Sequence, residues 1–414
     1  MKPAVFLAVA VSVALTACQG RRFEPSWSVS DFRVLGISAE PPEVRPGGST
    51  TLRALTYAPD GEVSYRWEWC PFETSSSDLY ACPLTHEELE AQIAENLPDN
   101  VPADLFSLPD FDLGTEPEVT LEYPLPQPLL LAFCEALKQQ AAEALEGNEE
   151  LAGALPTATC DEGYDVSVRL VARNAAEPAT DEMLENLLEQ DPGEVIVASK
   201  KVTLWLQSEN DQDLNPIHSG VEIRPKYEED LEMLRDAGHE WVANIEDTED
   251  DWYSVAADEV VPILVGVRYE LRALVEGSSI QTFRKVAPQG TDVRYQEPET
   301  EVLQFDWYTT AGALDPNDAF YVEGRTPLGE VAVTTFHIPT TDTSQAFGGA
   351  NGQRFIDRCD ELDDNSDTGC EVRIWNVVRD SRRGINWIER RLLATGIAED
   401  ATRESPFEAG EPGL

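Results

Sequence analysis

The residues TTLRALTY at positions 50–57 and RYELRALV at positions 268–275 decide the fold, because they place one short pattern at two distant points of the chain. Both stretches contain Leu-Arg-Ala-Leu, and apolar and polar side chains alternate along them. Alternation with a period of two predicts strands that bury one face. The chain is therefore expected to contain two copies of one β-rich unit.

Other segments match in the same order around these two strands. Arg66-Trp67 corresponds to Asp306-Trp307, and residues 168–171 correspond to residues 372–375. The strands expected in the first copy are 32–39, 50–57, 65–69, 164–173 and 195–206. Those expected in the second copy are 217–223, 268–275, 303–308, 371–379 and 388–395. Two antiparallel β-sandwiches, with Pro/Gly turns between strands, account for this order.

The tryptophans in these strands have two interpretations. Trp67, Trp69 and Trp307 could stack on a ligand, but their mid-strand positions favour packing between two sheets. Long insertions separate the strands, with helices predicted at 85–96, 127–145, 180–190 and 225–238 and a loop at 347–368. Insertions of this length often carry function, so a binding surface is expected there.

Three features resemble the immunoglobulin-like (Ig-like) and PKD-like modules repeated in bacterial surface lipoproteins, particularly those of myxobacterial type. They are the turn PPEVRPGG at positions 41–48, the mid-strand tryptophans, and the strand end NVVRD at 376–380 before Arg382-Arg383-Gly384. The resemblance implies a mainly β protein with two Ig-like antiparallel β-sandwich domains that carry helical and loop insertions. The expected domains are 31–208 and 216–398, with a linker at 209–215 and a C-terminal tail at 399–414.

The N-terminus contains the clearest targeting signal in the chain. Lys2 precedes an apolar run at 4–15, and Leu15-Thr16-Ala17-Cys18 follows. This order resembles a bacterial lipoprotein signal peptide, which implies cleavage after residue 17, acylation of Cys18 and a linker at 18–30. By the same resemblance, Gln19 favours the outer membrane. An ordinary secretory peptide cut after Ala17 is the alternative.

Composition is consistent with an exported globular protein. The formal net charge of −48 repels phosphates, which argues against nucleic-acid binding. A hydrophobic content of 42% is sufficient for folded cores. Beyond the signal peptide, no stretch reaches 18 uncharged apolar residues, so the acylated Cys18 is the expected contact with the membrane.

Six cysteines remain after Cys18, and they are candidates for structural disulfides. Six cysteines allow fifteen pairings, of which the simplest joins neighbours in sequence. A zinc site is the alternative, but it would need closer Cys or His spacing. The expected pairs are Cys70 with Cys82, Cys134 with Cys160, and Cys359 with Cys370.

The loop between the last two cysteines is the candidate metal site. Its side chains offer the hard oxygen ligands that suit Ca²⁺. A solvated acidic loop is the alternative, because the EF-hand order is not met. No other cofactor is expected. The candidate ligands are Asp360, Asp363, Asp364, Asn365 and Asp367.

Catalytic motifs are absent from the sequence. Neither the zinc-protease helix motif nor a Gly-x-Ser-x-Gly elbow occurs, so no catalytic residue is predicted. The sequence favours a non-enzymatic binding or scaffold module in the bacterial cell envelope, whose partner is an envelope protein or glycan. Its alternatives are an envelope glycan hydrolase that uses carboxylates from the insertions, and a calcium-dependent adhesion module.

Overall fold

The computed structural model describes residues 25–59, 61–72, 74–96, 108–122, 163–185, 187, 195–205, 211–285, 296–338 and 369–397. Strands make up 47% of the structure and helices 15%. The strands form several sheets in which most neighbours are antiparallel. The predicted class, a mainly β protein rich in antiparallel sandwiches, is therefore confirmed.

The described strands of the first half form two sheets. Their orders are β1-β3-β6 and β2-β8-β7-β4-β5, with β2 parallel to β8. Side chains from both sheets, Leu52 and Trp67 among them, meet in one buried core, so the sheets pack face to face. The strands are β1 (Arg33–Glu40), β2 (Glu43–Val44), β3 (Ser49–Tyr57), β4 (Ser64–Cys70), β5 (Asp112–Gly114), β6 (Glu118–Glu122), β7 (Tyr164–Arg173) and β8 (Val195–Leu204).

The second half forms a similar sandwich. Its strands are β9 (His218–Pro225), β10 (Tyr253–Val255), β11 (Val260–Val265), β12 (Arg268–Val275), β13 (Thr282–Phe283), β14 (Glu299–Thr300), β15 (Leu303–Thr309), β16 (Ala313–Asp315), β17 (Asp318–Tyr321), β18 (Val333–His337), β19 (Cys370–Asp380) and β20 (Ile385–Ile397). The sheet orders are β10-β9-β12-β18-β16 and β11-β20-β19-β15-β17, and β13 pairs with β14 beside them.

The second sandwich repeats the strand order of the first. The strands β9-β12-β18 take the places of β1-β3-β6, and β11-β20-β19-β15-β17 take those of β2-β8-β7-β4-β5, including the parallel edge pair. Leu52 and Leu271 therefore lie on equivalent central strands, and Trp67 and Trp307 do so in the other sheets. All four side chains are buried, which confirms the predicted repeat and the core interpretation of these tryptophans.

The described α-helices lie in the insertions; three of them fall in predicted ranges, and the short helix Leu328–Val331 was not predicted. They are α1 (His86–Asn96), α2 (Asp181–Glu185), α3 (Glu228–Asp236) and α4 (Leu328–Val331). Thr85 and Glu88 cap α1 reciprocally: the Thr85 N–H donates to Glu88 Oε2 at 2.8 Å, and the Glu88 N–H donates to Thr85 Oγ1 at 3.2 Å. None of the described helices is long and apolar enough to cross a bilayer.

Helix α3 is shorter than the predicted range 225–238. At its start, β9 continues through Pro225. At its end, Gly238 adopts a φ of 78°, a left-handed conformation that commonly follows a helix. The predicted helix at 127–145 lies outside the described residues.

Two predicted linkers contribute buried residues. Within 18–30, Trp27 joins the core of the second sandwich, and the Val29 N–H donates to the Thr309 carbonyl at 2.9 Å. Within 209–215, the buried Asn215 side chain donates to the Ala39 carbonyl at 2.7 Å and accepts from the Ile385 N–H at 2.8 Å. The described parts of both segments, residues 25–30 and 211–215, thus pack against folded strands.

One predicted disulfide is confirmed. Cys70 and Cys82 are bonded, with their Cα atoms 5.4 Å apart. Cys370 is also disulfide-bonded. The other predicted site residues lie outside the described ranges: Cys18, Cys134, Cys160, Cys359, Asp360, Asp363, Asp364, Asn365 and Asp367.

Candidate functional site at the junction of the two sandwiches

An apolar contact joins the two sandwiches. Leu35 on β1 and Leu55 on β3 pack against Trp375, Val377 and Ile385 on β19 and β20. All five side chains are buried. Apolar area removed from water stabilises a contact by roughly 25 cal/mol per Å². The contact therefore favours one arrangement of the two units.

The turn between β19 and β20 extends this contact into the first sandwich. Arg382 donates to both carboxylate oxygens of Glu43 on β2, each at 3.0 Å. Arg383 donates to both oxygens of Asp165, at 2.6 Å for Oδ2, and to Thr203 Oγ1 at 3.0 Å. Its φ of 92° is rare for a residue with a side chain. Charge-assisted hydrogen bonds therefore tie the turn to the first sandwich.

Three further carboxylates meet beside Arg382. Asp213 lies in the connecting segment, Glu301 precedes β15 and Asp380 ends β19. One oxygen from each lies within 4.8 Å of the others. Arg382 Nη1 is 3.4 Å from Glu301 Oε1 and 4.0 Å from Asp213 Oδ1. We refer to Glu43, Asp213, Glu301, Asp380 and Arg382 as the junction cluster.

Hydrogen bonding within the junction cluster is incomplete. Asp380 Oδ1 accepts from the N–H groups of Arg382, at 2.8 Å, and of Gly384, at 2.7 Å. A Cβ at residue 384 would lie 1.9 Å from Asp380 Oδ2, so any residue other than glycine would force the Asp380 carboxylate to move. That Oδ2 and both oxygens of Asp213 have no hydrogen-bond partner among the described residues. These three oxygens are buried without the partners that buried polar atoms normally have.

Burial and mutual repulsion disfavour ionisation of the cluster. Burial raises the pKa of Asp213, and the Asp380 carboxylate raises it further. Burial likewise raises the pKa of Asp380. The pKa of Glu301 is raised to about 7, first by burial and then by Asp380. Desolvation and like charges both penalise the charged form, so the cluster favours a bound proton or a cation.

A cavity of about 320 Å³ lies at the same junction, and Asp380 is one of its lining residues. Lys200, Arg379 and Arg383 also line it. Their donors are already engaged: Lys200 Nζ donates to the Arg383 carbonyl, and Arg379 pairs with Asp306. Burial lowers the pKa of Lys200 to about 8. The cavity is thus lined by cations that other protein groups already contact.

A second cleft lies in the second sandwich. Its volume of about 860 Å³ is within the range of small-ligand pockets. Tyr253 Oη donates to Glu259 Oε1 at 2.6 Å, and Trp241 Nε1 donates to the Pro262 carbonyl at 2.8 Å. The cleft combines aromatic rings with carboxylates and an amide; its lining includes His239, Glu240, Trp241, Asn244, Tyr253 and Glu259.

His218 gives the protein a specific sensitivity to acid. Its Nε2 contacts Asn376 Oδ1 at 2.9 Å between the sheets of the second sandwich, and burial lowers its pKa from 6.5 to about 4. The unfolded chain therefore takes up this proton before the folded protein does, and stability falls as the pH drops from about 6.5 towards 4. Above pH 6.5 the His218 side chain does not change the pH dependence of stability, because it is neutral in both the folded and the unfolded protein.

The variant His218→Gln, which cannot take up this proton, tests the expected acid sensitivity. Between pH 8 and pH 5, wild type should lose about 1–2 kcal/mol of unfolding free energy more than the variant does. Urea unfolding of both proteins at the two pH values checks this. An equal loss in wild type and variant would contradict the assignment of the acid sensitivity to His218.

The sequence-predicted site residues and the junction cluster are different sets. No residue of the cluster was predicted as a site from the sequence. A partial signal exists at Asp380, because DSRRG at 380–384 is typical of a turn stabilised by an aspartate. Nothing local points to Asp213 or Glu301, which reach the turn only through the tertiary fold.

Fold and site together define a β protein of two repeated sandwiches joined through a buried charge cluster. No known family model and no curated protein matches the chain. One solved structure that matches is the crystal structure of Salmonella alpha-2-macroglobulin reacted with methylamine, at 9% identity and a TM-score of 0.18. The match covers 89% of this chain and 17% of that one, so this chain spans about a sixth of that structure. A TM-score this low does not show a shared fold.

Proposed function

We propose that the chain is a lipid-anchored cell-envelope protein that acts as a non-enzymatic binding or scaffold module, built from two Ig-like sandwiches. The junction carries the proposal, since apolar packing and the turn between β19 and β20 join the two units. Two units held in one arrangement can present a binding surface at a set distance from an anchor. This is a mechanical role and needs no catalytic group.

The strand order supports the Ig-like part of the proposal. In each unit, a sheet containing β1-β3-β6 or β9-β12-β18 packs on a five-stranded sheet. The burial of β15 alternates strictly along its length, as expected for a strand whose one face lines the core between two sheets. Two antiparallel sheets with inward-facing residues in alternation are features that Ig-like domains share with other β-sandwiches.

The cysteines and the N-terminus support the envelope part of the proposal. Disulfides persist in oxidising compartments such as the cell envelope. The Cys70–Cys82 disulfide therefore supports an envelope location. The LTAC motif at 15–18 supports acylation of Cys18, and Gln19 supports the outer membrane. Two or three acyl chains bind a bilayer far more firmly than one.

The cleft of the second sandwich supports a glycan or protein segment as the partner. Polar groups such as Glu240 and Asn244 can bind hydroxyl or amide groups, and Tyr253 offers a ring beside them. The same cleft would be the site of the alternative function, a glycan hydrolase, because it contains the two carboxylates Glu240 and Glu259.

Replacing Cys18 by alanine tests the anchor. Wild type is expected in the membrane fraction and labelled by an alkyne fatty acid, whereas Cys18→Ala should lose the label and at least 10-fold of its membrane association. The control is the double variant Cys70→Ser, Cys82→Ser, which removes two cysteines and keeps the anchor. Cys18→Ala protein that stays labelled in the membrane fraction would refute the lipid anchor.

Crosslinking in cells that produce wild type or a cleft variant tests the binding role. A partner captured by wild type and reduced by Glu259→Gln supports binding through the cleft. Release of soluble sugar from purified cell-wall glycan by wild type, lost in Glu259→Gln, would instead establish the hydrolase. Alanine at the exposed residue Phe320, far from the cleft in sequence, is the control that should change neither result.

A further inference from the structure

The buried charges at the junction are out of balance. The junction cluster contains four carboxylates and one guanidinium, that of Arg382. Among the described residues, Lys200 also acts on the cluster, through Asp380 and Asp213. Arg379 pairs instead with a carboxylate outside the cluster. Four negative charges against two positive charges leave −2 when all groups are ionised.

Two residues of the cluster have carboxylate oxygens without hydrogen-bond partners, and these residues lie together. The Asp213 side chain is fully buried, with an exposed fraction of 0%, and neither of its oxygens accepts a hydrogen bond from a described residue. Asp380 Oδ2 is likewise buried and accepts no hydrogen bond from a described residue. One oxygen from each of these residues and one from Glu301 lie within 4.8 Å of one another. A buried carboxylate that accepts no hydrogen bond and lies close to two others is the arrangement expected of a cation site.

We propose that Asp213, Glu301 and Asp380 bind a divalent cation, and that this cation is Ca²⁺. Oxygen ligands bind Ca²⁺ at 2.3–2.6 Å, so two ligands on opposite sides of the ion are about 4.8 Å apart. The three oxygens all lie within 4.8 Å of one another, close enough to bind one ion of this size. Mg²⁺ demands near-ideal octahedral geometry and usually binds through one or two carboxylates with several waters, so three converging carboxylates favour Ca²⁺. The double positive charge also offsets the formal charge of −2.

The position of the site gives the ion a structural effect. Asp213 belongs to the connecting segment, and its backbone N–H donates to Glu43 Oε2 of the first sandwich at 2.8 Å. Glu301 and Asp380 belong to the second sandwich. Calcium bound by these residues therefore holds the connecting segment against the second sandwich and makes the arrangement of the units calcium-dependent. The inference is independent of the lipid anchor and of any partner.

The test is thermal unfolding of the full-length protein in detergent after removal of metals with EDTA. About 10 mM CaCl₂ is expected to raise the melting temperature by about 5–10 °C, for a Kd near 10⁻⁴ M. The same concentration of MgCl₂ should raise it by less than half as much. Calorimetric titration with CaCl₂ gives the affinity independently of unfolding.

Two matched sets of variants locate the ion. Asp213→Asn keeps the shape of the side chain and removes one charge, so it should fold without calcium and lose the calcium shift. Glu301→Gln is the second variant and should behave in the same way. The double variant Asp363→Asn, Asp364→Asn removes ligands of the sequence-predicted loop and should keep the shift.

The outcomes separate the alternatives. A shift that survives in Asp213→Asn and Glu301→Gln but disappears in the loop variant would overturn the junction site in favour of the loop. Absence of both a shift and calcium heat in wild type would also overturn it, and would leave protons as the groups that neutralise the cluster. A shift lost only in the two junction variants supports the proposal.

Discussion

Replacement of Arg382 by methionine is expected to lower the free energy of unfolding by about 3–5 kcal/mol. The side chain of Arg382 is 9% exposed and contacts Glu43, Glu301 and Asp213. Methionine fills a similar volume but cannot donate hydrogen bonds or offset charge. The loss arises because carboxylates stay buried after their guanidinium partner is removed. Denaturant unfolding of the purified variant measures it.

A second arginine provides the control. Arg391 lies on β20 and pairs at 3.9 Å with Glu371, where both side chains are more than a third exposed. Exposed ion pairs contribute at most about 1 kcal/mol, so Arg391→Met should have a correspondingly small effect. Equal losses in the two variants would mean that the junction cluster has no special role in stability.

Replacement of Trp307 by alanine is the other change with a large expected effect. Its side chain is 1% exposed at the centre of β15 and packs in the core of the second sandwich. Truncating a buried tryptophan removes apolar contacts and leaves a cavity, which together destabilise by about 3–5 kcal/mol. The loss should appear in chemical unfolding monitored by circular dichroism, since tryptophan fluorescence is itself altered by the substitution.

The comparison with other tryptophans sharpens this prediction. Trp67→Ala should cost a similar amount, because Trp67 is fully buried at the equivalent position of the first sandwich. Trp252 is partly exposed between Arg224 and Arg272, each 4.2 Å from its ring, so Trp252→Ala should cost only about 1–2 kcal/mol. A small effect at Trp67 beside a large effect at Trp307 would argue against equivalent structural roles.

Much of the fold was predictable because its signals are local. The alternation in residues 50–57 predicted β3, and the pattern at Thr85 and Glu88 predicted the start of α1. The predicted length of helix α3 was too great, because the periodicity of the sequence did not indicate that β9 continues through Pro225. Tertiary pairing with β12 decided that boundary.

The linkers show the limit of local signals most clearly. Residues 18–30 were assigned as a linker because they follow the signal peptide, and residues 209–215 because they lie between the two predicted domains. Trp27 and Asn215 are nevertheless buried, one in the core of the second sandwich and the other in hydrogen bonds to both units. Their role depends on surfaces of the folded sandwiches. These surfaces form only through tertiary folding, so the sequence of the segment alone does not reveal them.

The amino-acid sequence determined the mainly β class, the repeat and its core tryptophans, because a strand's period of two and its turns are properties of neighbouring residues. Only the tertiary structure decided the junction cluster. Glu43, Asp213, Glu301 and Asp380 come from four separate segments, and each is one of 78 acidic residues in the chain. Folding selects these four by burying them around Arg382, where loss of water turns ordinary carboxylates into a candidate cation site.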